Sequence, residues 1–294
     1  MTAPFTTLLS AAQLRAALST ADAPVVIDTR FDLADGDAGE AAWRADHIPG
    51  SIYLHLDRDL SGAKTGAGAT FRGRHPLPAR TDFAATLGRC GITPATQVVV
   101  LDAQGGVYGA RLWWLLRWMG HTAVAVLDGG LAAWAAEGGA LTPATTDAID
   151  APAARATAPY PDRAPLASTM TADALASQLG RVRLVDARAG DRFRGEVEPL
   201  DAAAGHIPGA LNRFFKDNLD AAGRFKPAAQ LRAEFEALLG AHAATGTVHQ
   251  CGSGVTACHN LLAMAHAGLT GSVLYPGSWS EWSADPARPV ARGG

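Results

Sequence analysis

Residues 247–258 read Thr-Val-His-Gln-Cys-Gly-Ser-Gly-Val-Thr-Ala-Cys. An apolar run is followed by a glycine-rich turn, and a helical pattern then continues through Leu261, Leu262 and Met264. Short β-branched runs that alternate with helical segments are typical of βαβ units. This stretch therefore predicts an α/β fold with a mainly parallel sheet flanked by helices.

The turn in this stretch is suited to holding an anion. The first N–H groups of a helix have no partner within the helix, and the helix dipole favours negative charge at the same end. Gly252 and Gly254 let the chain curl until its amides converge on Cys251. Since glycines contribute nothing to packing, they favour an accessible, reactive thiolate over a buried, inert cysteine.

The chain contains the same pattern twice. Residues 25–30 (Val-Val-Ile-Asp-Thr-Arg) correspond to 184–188 (Leu-Val-Asp-Ala-Arg), and His-Ile-Pro-Gly occurs at 47–50 and again at 206–209. Further matched pairs share an offset of 148 residues: Gly106/Gly254, Val107/Val255, Gly120/Gly268, Gly129/Gly277 and Trp134/Trp282. Two tandem copies of one domain follow.

We predict an N-terminal domain at 1–140, an extended Ala-, Pro- and Thr-rich linker at 141–168, and a C-terminal domain at 169–294. Within the first domain we expect strands at 98–101 and 124–127 and a helix from about 107 to 119. With the offset of 148, Ala103 takes the position of Cys251, so any catalysis belongs to the second copy. The duplicated Asp-x-Arg pairs, present in both copies, are interpreted as structural ion pairs that tie a strand end to a loop.

Composition excludes several classes of protein. The 25 basic and 28 acidic residues are nearly balanced, which gives no basic surface for nucleic acid. Three cysteines cannot form a disulfide framework and suit a reducing compartment. No signal peptide and no membrane-spanning stretch is recognised, so we expect a cytoplasmic protein.

The ordered set of motifs resembles the two-domain rhodanese family of sulfurtransferases over nearly the whole chain, from Val25 to Trp282. The loop Cys-Gly-Ser-Gly-Val-Thr at 251–256 looks like that of the 3-mercaptopyruvate sulfurtransferases, whereas the thiosulfate enzymes typically carry Arg and Lys there. The resemblance implies that Cys251 takes sulfur from a donor as a persulfide and passes it to cyanide or a thiol. Thiosulfate is the alternative donor.

The resemblance also implies roles for single residues. Ser253 would form a Ser–His–Asp relay with His75 and Asp57 from the first half of the chain. From the residues alone, His75 is interpreted as a solvated loop histidine. Arg192 would bind the donor's carboxylate, for which a guanidinium fork is suited, although a surface arginine paired with Asp191 or Glu196 is the alternative.

The loop residues Gly252, Gly254, Val255 and Thr256 complete the expected substrate site. The second arginine that mercaptopyruvate enzymes usually carry is missing, because the stretch at 198–201 reads Glu-Pro-Leu-Asp with Leu200 in its place. The resemblance implies no cofactor and no metal. The implied partners are a small sulfur donor and a thiol acceptor such as thioredoxin, with neither nucleic acid nor membrane.

Parts of this sequence are compatible with three other functions. A cysteine-loop phosphatase needs an arginine six residues after the cysteine, where this chain has Ala257. Metal binding could use His249, Cys251, Cys258 and His259, but no Cys-x-x-Cys pair is present. A module that docks on another protein and only carries sulfur is the third.

Overall fold

A computed structural model describes residues 3–144 and 156–294 of the chain. The interior of the predicted linker, 145–155, lies outside the described residues. The strands are β1 (Leu8–Leu9), β2 (Val25–Asp28), β3 (Ile52–Tyr53), β4 (Val98–Leu101), β5 (Val124–Leu127), β6 (Ser168–Thr169), β7 (Leu184–Asp186), β8 (Ala210–Asn212), β9 (Val248–Gln250) and β10 (Val273–Leu274).

The α-helices follow the strands in regular alternation. They are α1 (Ala11–Leu18), α2 (Ala38–Ala45), α3 (Arg80–Arg89), α4 (Val107–Trp118), α5 (Gly130–Ala136), α6 (Ala172–Ser177), α7 (Gly190–Arg194), α8 (Ala228–Leu239), α9 (Thr256–His266) and α10 (Ser278–Ala284). Short 3₁₀ turns lie at Ala67–Ala69 and Phe215–Asn218. In the described ranges, no helix is both long enough and apolar enough to cross a membrane.

The strands form two five-stranded sheets of the same topology. The first has the order β1-β5-β4-β2-β3 and the second the order β6-β10-β9-β7-β8, and every strand pair is parallel. The predicted α/β class with two similar parallel sheets is therefore confirmed. The central strand of the first sheet, β4, is buried and apolar, as is typical of a strand covered on both faces. The central strand of the second sheet, β9, is equally buried but carries His249 and Gln250.

The chain divides into two compact units. The first consists of Met1–Ser61, Pro78–Leu166 and Ala221–Arg224, and the second of Gly62–Leu77, Ala167–Asp220 and Phe225–Gly294. The structure thus differs from a first domain running unbroken over 1–140. The physical reason is that segment 62–77 is fastened to the second unit: Arg74 N–H donates to Ser280 Oγ at 3.1 Å, and a Cβ on Gly73 would lie 2.8 Å from the Gly277 carbonyl oxygen.

The duplicated Asp-x-Arg pairs are structural, as predicted. In the first unit, Arg30 bonds the buried Asp28 and the carbonyl oxygen of Asp46, which lies in the following loop. In the second unit, Arg188 bonds Asp186 at 2.7 Å and the carbonyl oxygen of Gly205 at 2.7 Å. Each pair joins the end of a central strand to the loop beside it.

Candidate active site

Cys251 occupies the turn between strand β9 and helix α9, at the carboxyl edge of the second sheet. The N–H of Gly254 donates to Cys251 Sγ at 3.1 Å. The N–H of Cys251 donates to Ser278 Oγ at 3.1 Å, and the Cys251 carbonyl oxygen accepts from Trp279 N–H at 2.9 Å. The sulfur is thus held in a turn in which a backbone N–H donates to it.

The cysteine is less exposed than its flanking glycines predicted, since only 2% of the residue is accessible. The glycines allow close backbone packing instead. Gly254 has a φ of 78°, and a Cβ there would overlap the carbonyl oxygen of Pro276. The turn therefore packs directly on the chain that leaves β10.

The remaining loop residues lie where the sequence predicted them. Gly252 and Ser253 form the turn, Val255 is the residue that precedes α9, and Thr256 is its first residue. Gly252 accepts from Ser280 N–H through its carbonyl oxygen at 2.9 Å. The turn is thereby anchored to the start of helix α10.

The first unit carries a corresponding turn, longer by one residue, with an aspartate at its first position. Asp28 of β2 is in register with Leu101 of β4, as Asp186 is with Gln250, so the strand register equates Asp102 with Cys251. Ala103 is therefore not the counterpart of the cysteine. The offset of 148 holds only after the turn, which is one residue longer in the first unit.

Asp102 shows what this turn can bind. Its Oδ1 accepts the N–H groups of Gln104 and Gly106, and its Oδ2 those of Tyr108 and Gly109, at 2.8–3.0 Å. Four backbone donors thus converge on one anionic side chain. The second unit places a sulfur at the position where the first places a carboxylate.

Ser253 and His75 are brought together. His75 Nδ1 lies 2.8 Å from Ser253 Oγ, and the two residues are 4% and 7% exposed. The interpretation of His75 as a solvated loop histidine is therefore wrong. Because segment 62–77 belongs to the second unit, both members of this pair and Cys251 lie in one compact body.

Asp57 lies in the first unit, in the turn after β3. Its N–H donates to His55 Nδ1 at 3.0 Å, and the residue is exposed. Its place in the relay stays a prediction.

Arg192 on helix α7 does not pair with Asp191 or Glu196 through its side chain. Its Nη2 donates to Glu198 Oε1 at 2.6 Å and to Asp201 Oδ2 at 3.1 Å. Both carboxylates come from the stretch that lacks the expected second arginine. Glu196 instead pairs with Arg194 at 2.7 Å.

Arg74 is a charged neighbour of the loop that the sequence did not single out. It forms an ion pair with Asp201, so that one buried carboxylate joins Arg74 and Arg192. Burial raises the pKa of the Asp201 carboxyl, whereas the Arg74 guanidinium opposes this rise. A signal for Arg74 was available in its position directly before His75, but its partner is distant in sequence.

A cleft of about 240 Å³ lies beside this loop, at the carboxyl ends of β6 and β10. Its walls include Arg72, Thr169, Tyr275, Gly277 and Glu281, and they do not include Cys251.

The geometry does not favour the phosphatase alternative. Ala257, where a phosphatase would carry its arginine, is fully buried in the first turn of α9. Among residues 3–144 and 156–294, no group of three or more His, Cys, Asp or Glu side chains is placed to hold a metal ion.

Comparison with known proteins agrees with this architecture. The Rhodanese-like domain family matches the chain twice, at residues 10–137 and 171–285. The chain therefore belongs to the rhodanese family of sulfurtransferases. Both matches contain the strand–turn–helix segments that hold Asp102 and Cys251.

Individual relatives are similar over most of their length. A Pseudomonas aeruginosa protein named "Probable 3-mercaptopyruvate sulfurtransferase" is 47% identical over 97% of this chain and 98% of its own. The thiosulfate sulfurtransferase of Gallus gallus is 32% identical over 80% of this chain and 78% of its own. The solved structure of 3-mercaptopyruvate sulfurtransferase from Leishmania major superimposes with a TM-score of 0.82 at 28% identity, covering 96% of this chain and 76% of that one.

Proposed function

We propose that this protein transfers sulfane sulfur from 3-mercaptopyruvate to a thiol or cyanide through a persulfide on Cys251. The observation that carries the proposal is the 2.8 Å bond between His75 Nδ1 and Ser253 Oγ, two residues along the turn from the thiol. A hydroxyl that is hydrogen-bonded to an imidazole can pass a proton. The leaving group of 3-mercaptopyruvate needs this proton, whereas the leaving group of thiosulfate does not.

In the first step the Cys251 thiolate attacks the thiol sulfur of 3-mercaptopyruvate. The S–S bond forms, the C–S bond breaks, and its electron pair leaves as the enolate of pyruvate. The enolate takes a proton and becomes pyruvate, while the persulfide loses the proton that the donor's thiol carried. The Gly254 N–H, 3.1 Å from Sγ, supports an anionic sulfur before and after this step.

In the second step the acceptor attacks the outer sulfur of the persulfide. Cyanide leaves as thiocyanate and a thiol leaves as its own persulfide, and in both cases the Cys251 thiolate is restored. A protein thiol such as that of thioredoxin is our proposed natural acceptor, and the cytoplasm our proposed compartment.

The remaining roles belong to the same proposal. Ser253 protonates the leaving enolate, His75 supplies the proton, and Asp57 orients the imidazole. Arg192 binds the donor's carboxylate, and the backbone of Gly252, Gly254, Val255 and Thr256 surrounds the sulfur. Since sulfite leaves thiosulfate without a proton, thiosulfate can serve as a donor that bypasses this relay.

The test compares kcat/KM for the two donors in the wild type and in Ser253→Ala. We expect 3-mercaptopyruvate to be preferred, and Ser253→Ala to lower its kcat/KM by about 100-fold while thiosulfate changes by less than about threefold. Ser177→Ala, an exposed serine on α6, is the control and should leave both values unchanged. Equal losses on both donors would exclude the proton relay, and absence of turnover with either donor would favour a carrier that docks on another protein.

A further inference from the structure

Two guanidinium groups converge on the residue that follows the nucleophile. A Cβ on Gly252 would lie 2.8 Å from Arg74 Nη2 and 3.6 Å from Arg192 Nη1. Glycine at this position therefore leaves space into which both side chains project. Any small anion bound beside Cys251 at this position would meet both arginines.

The two guanidinium nitrogens nearest to a Cβ on Gly252, Arg74 Nη2 and Arg192 Nη1, are not the ones that bind the protein's own carboxylates, whereas Arg192 Nη2, which does, lies 3.9 Å from the same Cβ position. Arg74 uses Nη1 for Asp201, and Arg192 uses Nη2 for Glu198 and Asp201. Within the described part of the chain, Arg192 Nε is buried without a hydrogen-bond partner. Arg74 Nη2 and Arg192 Nη1 can thus donate hydrogen bonds on the side of the loop, which is where the sulfur-donating substrate must approach.

Asp201 holds the two arginines together. Its side chain is 2% exposed and bonds one guanidinium with each oxygen. Two cations brought this close repel each other, so a shared buried carboxylate is needed to keep them side by side. The two guanidinium groups and the Asp201 carboxylate together carry a single net positive charge when Glu198 is not included.

Hydrogen bonds through Ser280 connect the Arg74 backbone to the same loop. Its N–H donates to Ser280 Oγ, and Ser280 N–H donates in turn to the Gly252 carbonyl oxygen at 2.9 Å. The next residue, His75, contacts Ser253. Arg74 is therefore positioned over Gly252 by the same segment that positions the proton relay.

We propose that Arg74 is the second carboxylate-binding arginine of this site and that Asp201 positions it beside Arg192. Arg74 would thus supply the guanidinium that is missing at the position of Leu200. The inference rests on the proposed function, since it assigns the carboxylate of the keto-acid donor to this pair. Two guanidinium groups bind one carboxylate more tightly and with better-defined orientation than one.

The test measures alkylation of Cys251 by iodoacetate and by iodoacetamide, which differ mainly in the carboxylate. It needs no sulfur transfer, so it stays informative even if the proposed function fails. We expect Arg74→Gln to lower the iodoacetate-to-iodoacetamide rate ratio by about tenfold. Asp201→Asn, which removes the carboxylate that holds the two arginines side by side, should lower the ratio by about threefold. Arg72→Gln, which removes the same charge two residues away on the side of the cleft, should leave the ratio near the wild-type value.

Steady-state kinetics supply the second readout. Arg74→Gln should raise KM for 3-mercaptopyruvate about tenfold and change kcat by less than about threefold. Arg74→Lys, which keeps the charge but loses the fork, should give an intermediate ratio and serves if the glutamine variant does not fold. A ratio in Arg74→Gln and Arg74→Lys equal to that of the wild type would overturn the proposal and make Arg74 only a counterion for Asp201.

Discussion

At the scale of single residues, the two units differ most at the first position of one turn. Asp102 fills its own turn with a carboxylate that accepts four backbone N–H groups, whereas Cys251 leaves the second turn with a smaller group that can accept a further atom. Corresponding turns thus hold a carboxylate in one copy and a sulfur in the other, although the first turn is one residue longer.

The Gly254 position tests how closely the turn must pack. Gly254→Ala places a Cβ against the Pro276 carbonyl oxygen at a φ of 78°, so the turn must move. We expect the free energy of unfolding to fall by about 3 kcal/mol and kcat/KM by more than about tenfold, because the N–H that bonds Sγ moves as well.

Gly246→Ala is the matched control for this variant. Its φ is 83°, but a Cβ there meets nothing within 4 Å. This substitution should lower the free energy of unfolding by only about 1 kcal/mol, the cost of a left-handed backbone conformation for a residue with a Cβ. It should leave kcat/KM within about twofold of the wild-type value. Equal effects of the two substitutions, measured by urea unfolding and by turnover, would show that packing on Pro276 is unimportant.

At the scale of elements, strand β9 is unusual because it brings polar side chains into the sheet directly before the nucleophile. His249 and Gln250 are fully buried, and among the described residues their side-chain nitrogen and oxygen atoms have no hydrogen-bond partner. Burial lowers the pKa of His249 to about 3. The imidazole is therefore neutral in the folded protein over the working range of pH.

This burial predicts a pH dependence of stability. Below about pH 6.5 the unfolded chain binds a proton that the folded chain does not bind until about pH 3, so stability falls as pH falls through this window. From pH 7.5 to 5.0 we expect His249 to account for a loss of about 2 kcal/mol. His249→Leu should remove this part of the loss in urea unfolding, and His242→Leu on the surface should not; an unchanged pH slope in His249→Leu would contradict the assignment.

At the scale of the whole molecule, repetition made the fold predictable. The apolar runs at 98–101 and 124–127 are strands β4 and β5, and the helix expected at 107–119 is α4, Val107–Trp118. These elements are long and apolar enough for their pattern to be clear without tertiary contacts. Strands of two residues, such as β1 and β6, carry no such pattern, because their pairing with β5 and β10 depends on the folded sheet.

The site was predictable only where its residues are adjacent in sequence. Cys251, Ser253 and the loop glycines are adjacent in sequence, so their common turn could be foreseen. The bonds from Arg74 to Asp201 and from Arg192 to the same carboxylate depend on packing between distant segments. The fixed offset of 148 likewise paired Ala103 wrongly with Cys251, because it does not account for the extra residue in the first turn.

The central claim is that Cys251 carries the transferred sulfur, and peptide mass spectrometry tests it most directly. After incubation with excess 3-mercaptopyruvate and removal of the donor, we expect one added sulfur atom per chain, located on the peptide that contains Cys251 and absent in Cys251→Ser. The adduct should disappear when cyanide is added, as thiocyanate forms. An unmodified Cys251 peptide, or sulfur found only on Cys90 or Cys258, would contradict the account.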